Sequence, residues 1–473
     1  MRRIATDICV IGAGSGGLSV AAGAVQMGAR VVLIEGHKMG GDCLNYGCVP
    51  SKALLAAAKH AHAMGAGQPF GTAPVAPRTD FAAARDHVQG VIATIAPTDS
   101  EERFAGLGVQ VIRDWARFVS PTEVAAGECR VTARRFVIAT GSGPLVPPIP
   151  GLDTVPHCTN ETIFDLRERP EHLLIIGGGP IGMEMAQAHR RLGSRVTVIE
   201  GMKALGKDDP ECAAVVLENL RAEGIEIAED ALAGQIGGKA GAITVATRDG
   251  RSFAGSHLLV AVGRRVNLDR LDLDKAGVAH DRGGVTVGPG LRSVSNRRVY
   301  AVGDAAGGLQ FTHVAGYHAG VIIRSMLFGL PAKARTDHLP WATYTDPELA
   351  QVGLTEAEAR KAHGERLTVH RWPYAENDRA IAEGRTKGLV KVMVARGRPV
   401  GASIAGAQAG ELIGLWAMAI ANGLKMSAVA STVLPYPTLM EANKRAAGAY
   451  FSPKLFANPW LKRAVRLVQR VFP

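Results

Sequence analysis

The chain has 473 residues, of which 47% are hydrophobic and 21% charged, with a formal net charge of +11. That length exceeds one ordinary hydrophobic core and points to roughly two to four folded units. No run reaches the roughly eighteen apolar residues of a membrane span, and the dispersed Lys and Arg lack the aromatic interleaving of a base-stacking surface, so no nucleic-acid partner is expected.

The N-terminus runs from Met1-Arg2-Arg3 into Ile8-Cys9-Val10-Ile11-Gly12, which reads as a buried strand and not as a signal peptide. A soluble, cytoplasmic protein is expected. The six cysteines do not form a secreted disulfide framework, since Cys9, Cys129, Cys158 and Cys212 have no partner spacing.

The first strand leads into Gly12-Ala13-Gly14-Ser15-Gly16-Gly17, an alanine-rich helical stretch, and Arg30-Val31-Val32-Leu33-Ile34-Glu35. The same pattern recurs 165 positions later: Leu173-Leu174-Ile175-Ile176, then Gly177-Gly178-Gly179-Pro180-Ile181-Gly182, a helical stretch, and Arg195-Val196-Thr197-Val198-Ile199-Glu200. One such motif alone could be no more than a tight strand–helix turn. Two, each with an acid at the ribose position, predict two βαβ units that bind two dinucleotides.

Between them lies Gly40-Gly41-Asp42-Cys43-Leu44-Asn45-Tyr46-Gly47-Cys48-Val49-Pro50-Ser51-Lys52. Two cysteines five apart at a helix start can close a small, labile disulfide, and a helix N-terminus favours the thiolate. A zinc half-site and chance spacing are the alternatives, but no second Cys/His pair suits zinc, and no resident metal is expected. Further along, Val137-Ile138-Ala139-Thr140-Gly141, Leu258 to Gly263 and Arg298 to Asp304 read as buried strands ending in glycine. From about Leu339 shorter alternating runs such as Gly388 to Val394 predict antiparallel strands, with helices around Glu411 to Ala421 and Thr438 to Ala449.

The cysteine box, both glycine motifs, Ala139-Thr140-Gly141, Gly263-Arg264-Arg265, Ala301-Val302-Gly303-Asp304, Phe311-Thr312-His313-Val314-Ala315, and Thr345-Asp346-Pro347-Glu348 with Val352-Gly353-Leu354-Thr355 are collinear over nearly the whole chain. Together they resemble the flavoprotein disulfide reductases, the family of dihydrolipoamide dehydrogenase, glutathione reductase and mercuric reductase. The resemblance implies FAD held through Gly12, Gly14, Gly17, Glu35, Gly41, Thr140, Gly141 and Asp304. It implies NADH or NADPH at Gly177, Gly179, Gly182, Glu200 and Gly263, with Glu200 favouring NADH. Cys48 would be the flavin-facing thiol, Cys43 the interchange thiol, and Lys52 a flavin-side cation paired with Glu184.

The implied fold is two doubly wound α/β nucleotide-binding domains, FAD at 1–150 and 271–338 and NAD(P)H at 151–270, plus an α+β dimerisation domain at 339–450. A homodimer follows, because in the family the segment matching Tyr436 to Glu441 reaches the partner's active site. Here the chain departs from the family. Thiol-handling members carry His-Pro-Thr-x-x-Glu, whereas this chain has Tyr436-Pro437-Thr438-Leu439-Met440-Glu441. That stretch looks like mercuric reductases, yet the last cysteine here is Cys212, so the C-terminal cysteine pair of those enzymes is not expected, and neither is a metal-binding domain ahead of the cysteine box. Expected acceptors are a disulfide or dithiol, or a metal ion.

The remaining segment, 451–473, is basic and amphipathic: Leu461, Ala464, Val465, Val468, Val471 and Phe472 share one helical face, with Lys462, Arg463, Arg466 and Arg470 largely opposite. A terminal helix packed on its own domain is the ordinary reading. The other is an interfacial helix that brings the flavoprotein to the inner face of a membrane, where it would donate electrons to a membrane partner.

Overall fold

A computed structural model describes residues 1–67 and 70–472. The chain divides into two compact units, one of residues 1–65, 75–201 and 230–335, the other of residues 66–74, 202–229 and 336–473.

In the first unit, β-branched and aliphatic runs form the parallel strands Arg2–Ile11, Val31–Ile34 and Cys129–Ile138. Cys129–Ile138 divides its far edge between two partners. Its first half pairs antiparallel with Glu123–Ala126 and its last three residues pair parallel with Val299–Ala301. The register sets Ile11 opposite Ile138, and Ile138 opposite Ala301. Gly12, Ala139 and Val302 therefore leave the sheet at one end, the end where ligands bind in doubly wound sheets. The second repeat copies this arrangement: His172–Ile176 pairs parallel with Arg195–Ile199 and His257–Val260, and Ile176 lies level with Ile199 and Val260.

The second unit holds an antiparallel five-stranded sheet ordered Pro340–Thr343, Glu348–Gly353, Arg398–Gly406, Leu389–Ala395, Leu367–Pro373. Helices Ala409–Ala421 and Glu441–Ala449 join its core around Trp416, whose indole N–H donates to Asn443 at 2.8 Å. The second helix starts at Glu441 and not at the expected Thr438. The Thr438 carbonyl accepts from the Glu441 N–H at 3.3 Å and from the Asn377 side chain at 3.1 Å, which closes a turn ahead of the helix.

The mixed α/β architecture is thus the one expected, with two differences in detail. Residues 202–229, placed by the sequence in the nucleotide-binding segment, group with the second unit. The cause is a buried ion cluster: Lys391 Nζ lies 2.8 Å from Asp209, the N-cap of helix Pro210–Ala222, 2.9 Å from Glu211 and 2.8 Å from Glu356. The C-terminal helix Pro459–Val471 does not pack on its own domain in the chain: every described residue from 452 onward is exposed. Pro459 cannot continue the preceding Ser452–Phe456 helix, and extended Asn458 redirects the chain. Among the described residues no helix is long and apolar enough to cross a membrane.

Candidate active site

Gly12 has φ +105°, and a Cβ there would stand 2.4 Å from the Ala139 carbonyl oxygen. At Gly17 an added Cβ would come within 1.9 Å of the Gly12 carbonyl oxygen. Both positions therefore demand glycine, the first for the turn and the second for helix–strand contact. The second repeat reproduces both restrictions at Gly177 and Gly182. The acids match as well: Ala13 N–H donates to Glu35 at 2.6 Å, and Gly178 N–H donates to Glu200 at 2.6 Å. Each carboxylate is thereby fixed at the turn of its own glycine motif. Gly14 and Gly179 begin helices Ser15–Gln26 and Pro180–Arg191, whose first N–H groups suit a pyrophosphate.

Around the first motif the residues fit FAD. Gly41, at φ +60°, lies so close to Gly14 that a Cβ would meet the Gly14 Cα at 2.7 Å, leaving backbone surface where a dinucleotide can approach. The Thr140 hydroxyl is buried without a protein partner, as a group reserved for a ligand would be. Gly141 follows with φ +61°, and Gly263 has φ +147° at the corresponding end of the second sheet. Asp304 sits in the turn Gly303–Ala306, with burial pushing its carboxyl up and the Ser142 hydroxyl opposing that rise.

Cys43 lies in the short helix Gly41–Asn45, and Cys48 opens helix Cys48–Met64; both are free thiols. They interact asymmetrically. A hydrogen bond from Cys43 holds the Cys48 thiol down at about 6, helped by the Thr312 hydroxyl 3.2 Å away and the Lys52 charge, against burial and Asp42. As the donor, and through burial, Cys43 is pushed up. The arrangement thus favours the thiolate on Cys48 and the proton on Cys43. Lys52, one turn into the same helix, pairs with Glu184 of helix Pro180–Arg191 at 2.8 Å, and the Glu184 side chain is only 6% exposed. The two charges that would pass as solvated helix residues in the sequence are thus brought together.

Arg264, Ser142, Asn160 and Thr312 complete the site, none of them assigned a role from the sequence. Arg264 lies 3.1 Å from the Asp42 carboxylate and donates to the Ser142 hydroxyl at 2.7 Å, which in turn donates to Asp304. Asn160 donates to the other Asp42 oxygen at 3.0 Å. Thr312, at the start of helix Thr312–Phe328, supplies the bond to Cys48. Arg264 and Thr312 fall inside motifs visible in the sequence; Asn160 carries no local signal.

In the second unit, Tyr436 is exposed and its hydroxyl donates to Asp378 at 2.6 Å. That hydrogen bond and the nearby Asp378 and Glu441 charges raise the phenol above its ordinary range. Glu441 forms the first turn of its helix.

Residues 6–319 match the family described as Pyridine nucleotide-disulphide oxidoreductase, and residues 339–447 match its dimerisation domain. The chain is 37% identical over 462 residues to a mercuric reductase of Streptomyces lividans, covering 94% of this chain and 96% of that protein. It is 35% identical over 458 residues to a dihydrolipoyl dehydrogenase of Thermus scotoductus, covering 94% and 97%. Among solved structures, a Cu(II) complex of the HOCl-induced flavoprotein disulfide reductase RclA from Escherichia coli superimposes with a TM-score of 0.83 at 29% identity, covering 93% of this chain and 99% of that one. The fold is shared with LpdA from Mycobacterium tuberculosis, at a TM-score of 0.85. The dimerisation domain implies a homodimer, and the chain belongs to the pyridine nucleotide-disulphide oxidoreductase family as an FAD-dependent flavoprotein disulfide reductase.

Proposed function

We propose that the enzyme passes electrons from NADH through FAD to the Cys43/Cys48 pair and on to an external acceptor, a disulfide or a thiophilic metal ion. The observation that carries this reading is the geometry of the pair: two free thiols, Cys43 in the short helix before it and Cys48 at the start of helix Cys48–Met64, with Cys48 bonded to the Thr312 hydroxyl at 3.2 Å and Lys52 one turn along held by Glu184. Bound FAD supplies a two-electron carrier that can accept hydride and exchange electrons with a dithiol.

Cys48, as the stabilised thiolate, takes the flavin side, and Lys52 holds negative charge there. Cys43 takes the acceptor side. With a disulfide substrate, Cys43 gives up its proton, its sulfur attacks one substrate sulfur, and the first thiolate leaves. Cys48 then attacks the Cys43 sulfur, the second thiolate leaves, and the Cys43–Cys48 disulfide closes. Two electrons have moved to the substrate. Glu200, anchored by Gly178 N–H, suits a ribose 2′-hydroxyl and repels a 2′-phosphate, which supports NADH as the donor. Labile thiols suit the reducing cytoplasm.

The Tyr436–Asp378 bond favours the metal ion as the acceptor, because a phenol held protonated is a poor base for a thiol substrate but does not hinder a metal bound by two thiolates. The experiment is NADH oxidation by the purified holoenzyme with oxidised lipoamide, glutathione disulfide, a quinone and Hg(II) in excess thiol. At least one acceptor should turn over, and Cys43→Ser and Cys48→Ser should each abolish that turnover with flavin retained. Unchanged turnover in both variants would overturn the proposal.

A further inference from the structure

The match to the dimerisation domain ends at residue 447, but the chain goes on to build a helix that is fully encoded. Asn458 caps it, its side chain accepting from the N–H groups of Trp460 and Leu461 at 3.0 and 3.2 Å, and Pro459 occupies the first turn. A capped helix of thirteen residues with no buried side chain is unusual in a folded domain. Its apolar side chains are exposed along with its polar ones: Trp460 is 72%, Leu467 63%, Val471 64% and Phe472 66% exposed.

The two kinds of side chain are segregated. At 3.6 residues per turn, the apolar positions from Trp460 to Phe472 fall within an arc of about 160°, whereas Lys462, Arg463, Arg466 and Arg470 fall within about 100° on the other side. Lys444, Arg445 and Lys454 precede them, and the chain contains no Asp or Glu after Glu441. The Arg463 guanidinium stacks 5.0 Å from the Trp460 ring, at the border between the faces. The occupant of this surface must therefore offer an apolar interior and an anionic rim at once.

We propose that helix Pro459–Val471 docks the dimer reversibly on an anionic lipid surface, lying in the plane of the interface with its apolar arc inserted. The helix is too short to span a bilayer, which needs about 20 residues, but it has the composition of an interfacial anchor: bulky apolar and aromatic residues on one face, Lys and Arg on the other. A second copy of the same helix could cover the apolar arc, but it would bring more cations and no acid. Two helices per dimer would bind together, so that each raises the local concentration of the other at the surface.

The test is co-sedimentation of full-length holoenzyme with vesicles of phosphatidylcholine alone or mixed with phosphatidylglycerol. Binding should require phosphatidylglycerol and weaken at least about tenfold between low and high salt. Truncation after Ala457 should remove binding while flavin content and NADH oxidation stay unchanged. Val465→Glu and Arg466→Glu should each weaken binding, one through the apolar arc and the other through charge. Failure of the intact protein to bind phosphatidylglycerol vesicles, or undiminished binding after truncation, would overturn the proposal. So would a helix-dependent self-association or capture of an acidic protein in the absence of vesicle binding.

Discussion

Arg264 holds Asp42, the residue before Cys43, at 3.1 Å, and through Ser142 the same guanidinium is joined to Asp304. One side chain thus ties the cysteine box to the turn that would meet the flavin. The link also has an electrostatic consequence, because the Asp42 charge raises both thiols. Arg264→Gln would leave that charge without its nearest cation and should move the Cys48 titration upward. The pH dependence of iodoacetamide alkylation of the reduced protein reads the change; an unmoved profile would show that Arg264 does not tune the pair.

Thr312→Val addresses the same thiolate through one bond. A hydrogen bond to a charged group is worth about 1.5–3 kcal/mol, and about 1.36 kcal/mol corresponds to one pKa unit. At the lower end of that range the alkylation midpoint should rise by about one unit. Lys52→Met should shift it in the same direction, with the added loss of the Glu184 ion pair. A midpoint unchanged in both variants would mean that Cys43 alone sets the Cys48 thiolate.

What the sequence discloses here depends on the range of the contact. Gly12, Gly17 and Glu35 act on their own turn, so spacing alone reveals them, and the second copy at Gly177, Gly182 and Glu200 repeats the same local geometry. Cys43 and Cys48 are five apart, and their position at a helix start is equally local. Thr312 meets Cys48 from 264 positions away, and Arg264 meets Asp42 from the far side of the second repeat. Both lie in visible motifs, but only the fold shows what they touch. Asp378 has neither motif nor spacing to mark it, so the sequence names no partner for the Tyr436 hydroxyl. The contact of Lys391 with Asp209, 182 positions apart, is likewise invisible without the fold.

Lys391 gives a prediction about stability. Its side chain is 3% exposed and that of Asp209 0% exposed, so Lys391→Met leaves a buried carboxylate unpaired and should cost about 3–5 kcal/mol. Adding Asp209→Asn should recover part of the loss, since the orphan charge is then gone. Burial opposes ionisation of Glu356, but hydrogen bonds from Lys391 and Arg360 outweigh it and hold the carboxyl at about 2. A depressed carboxyl contributes stability above its unfolded value of about 4.3, lost as pH falls through the folded one. Wild-type stability should therefore decline from about pH 4.3 down to about 2, and less steeply in Lys391→Met. Urea melts across that range check both; a variant as stable as wild type would remove the cluster from the account.

Glu200 should set the choice of nucleotide. Its carboxylate is fixed by Gly178 N–H and would face a 2′-phosphate with like charge, so kcat/KM should favour NADH. Glu200→Gln should narrow the preference by raising kcat/KM for NADPH more than for NADH. A wild-type preference for NADPH would refute the assignment.

The final prediction concerns Tyr436 and what replacing it can restore. Reduction of a disulfide needs a proton for the leaving thiolate, oxidation of a dithiol needs a base, and a positioned acid–base group is typically worth about 10²–10⁴-fold. The phenol already donates to Asp378, and the charges of Asp378 and Glu441 both raise it, so wild-type oxidation of dihydrolipoamide should be slow. Tyr436→His puts an imidazole beside the same two carboxylates, which favour imidazolium. The variant should thus gain more in lipoamide reduction, where it acts as an acid, than in dihydrolipoamide oxidation, where it must be neutral, and both gains should fall well short of the full factor. Asp378→Asn in the Tyr436→His background removes one of the two charges and should raise dihydrolipoamide oxidation further while shifting its pH optimum down. The measurement is kcat/KM in both directions against pH for the three proteins. Fast dihydrolipoamide oxidation by the unmodified enzyme would show that the tyrosine is no handicap and that a dithiol is a natural substrate.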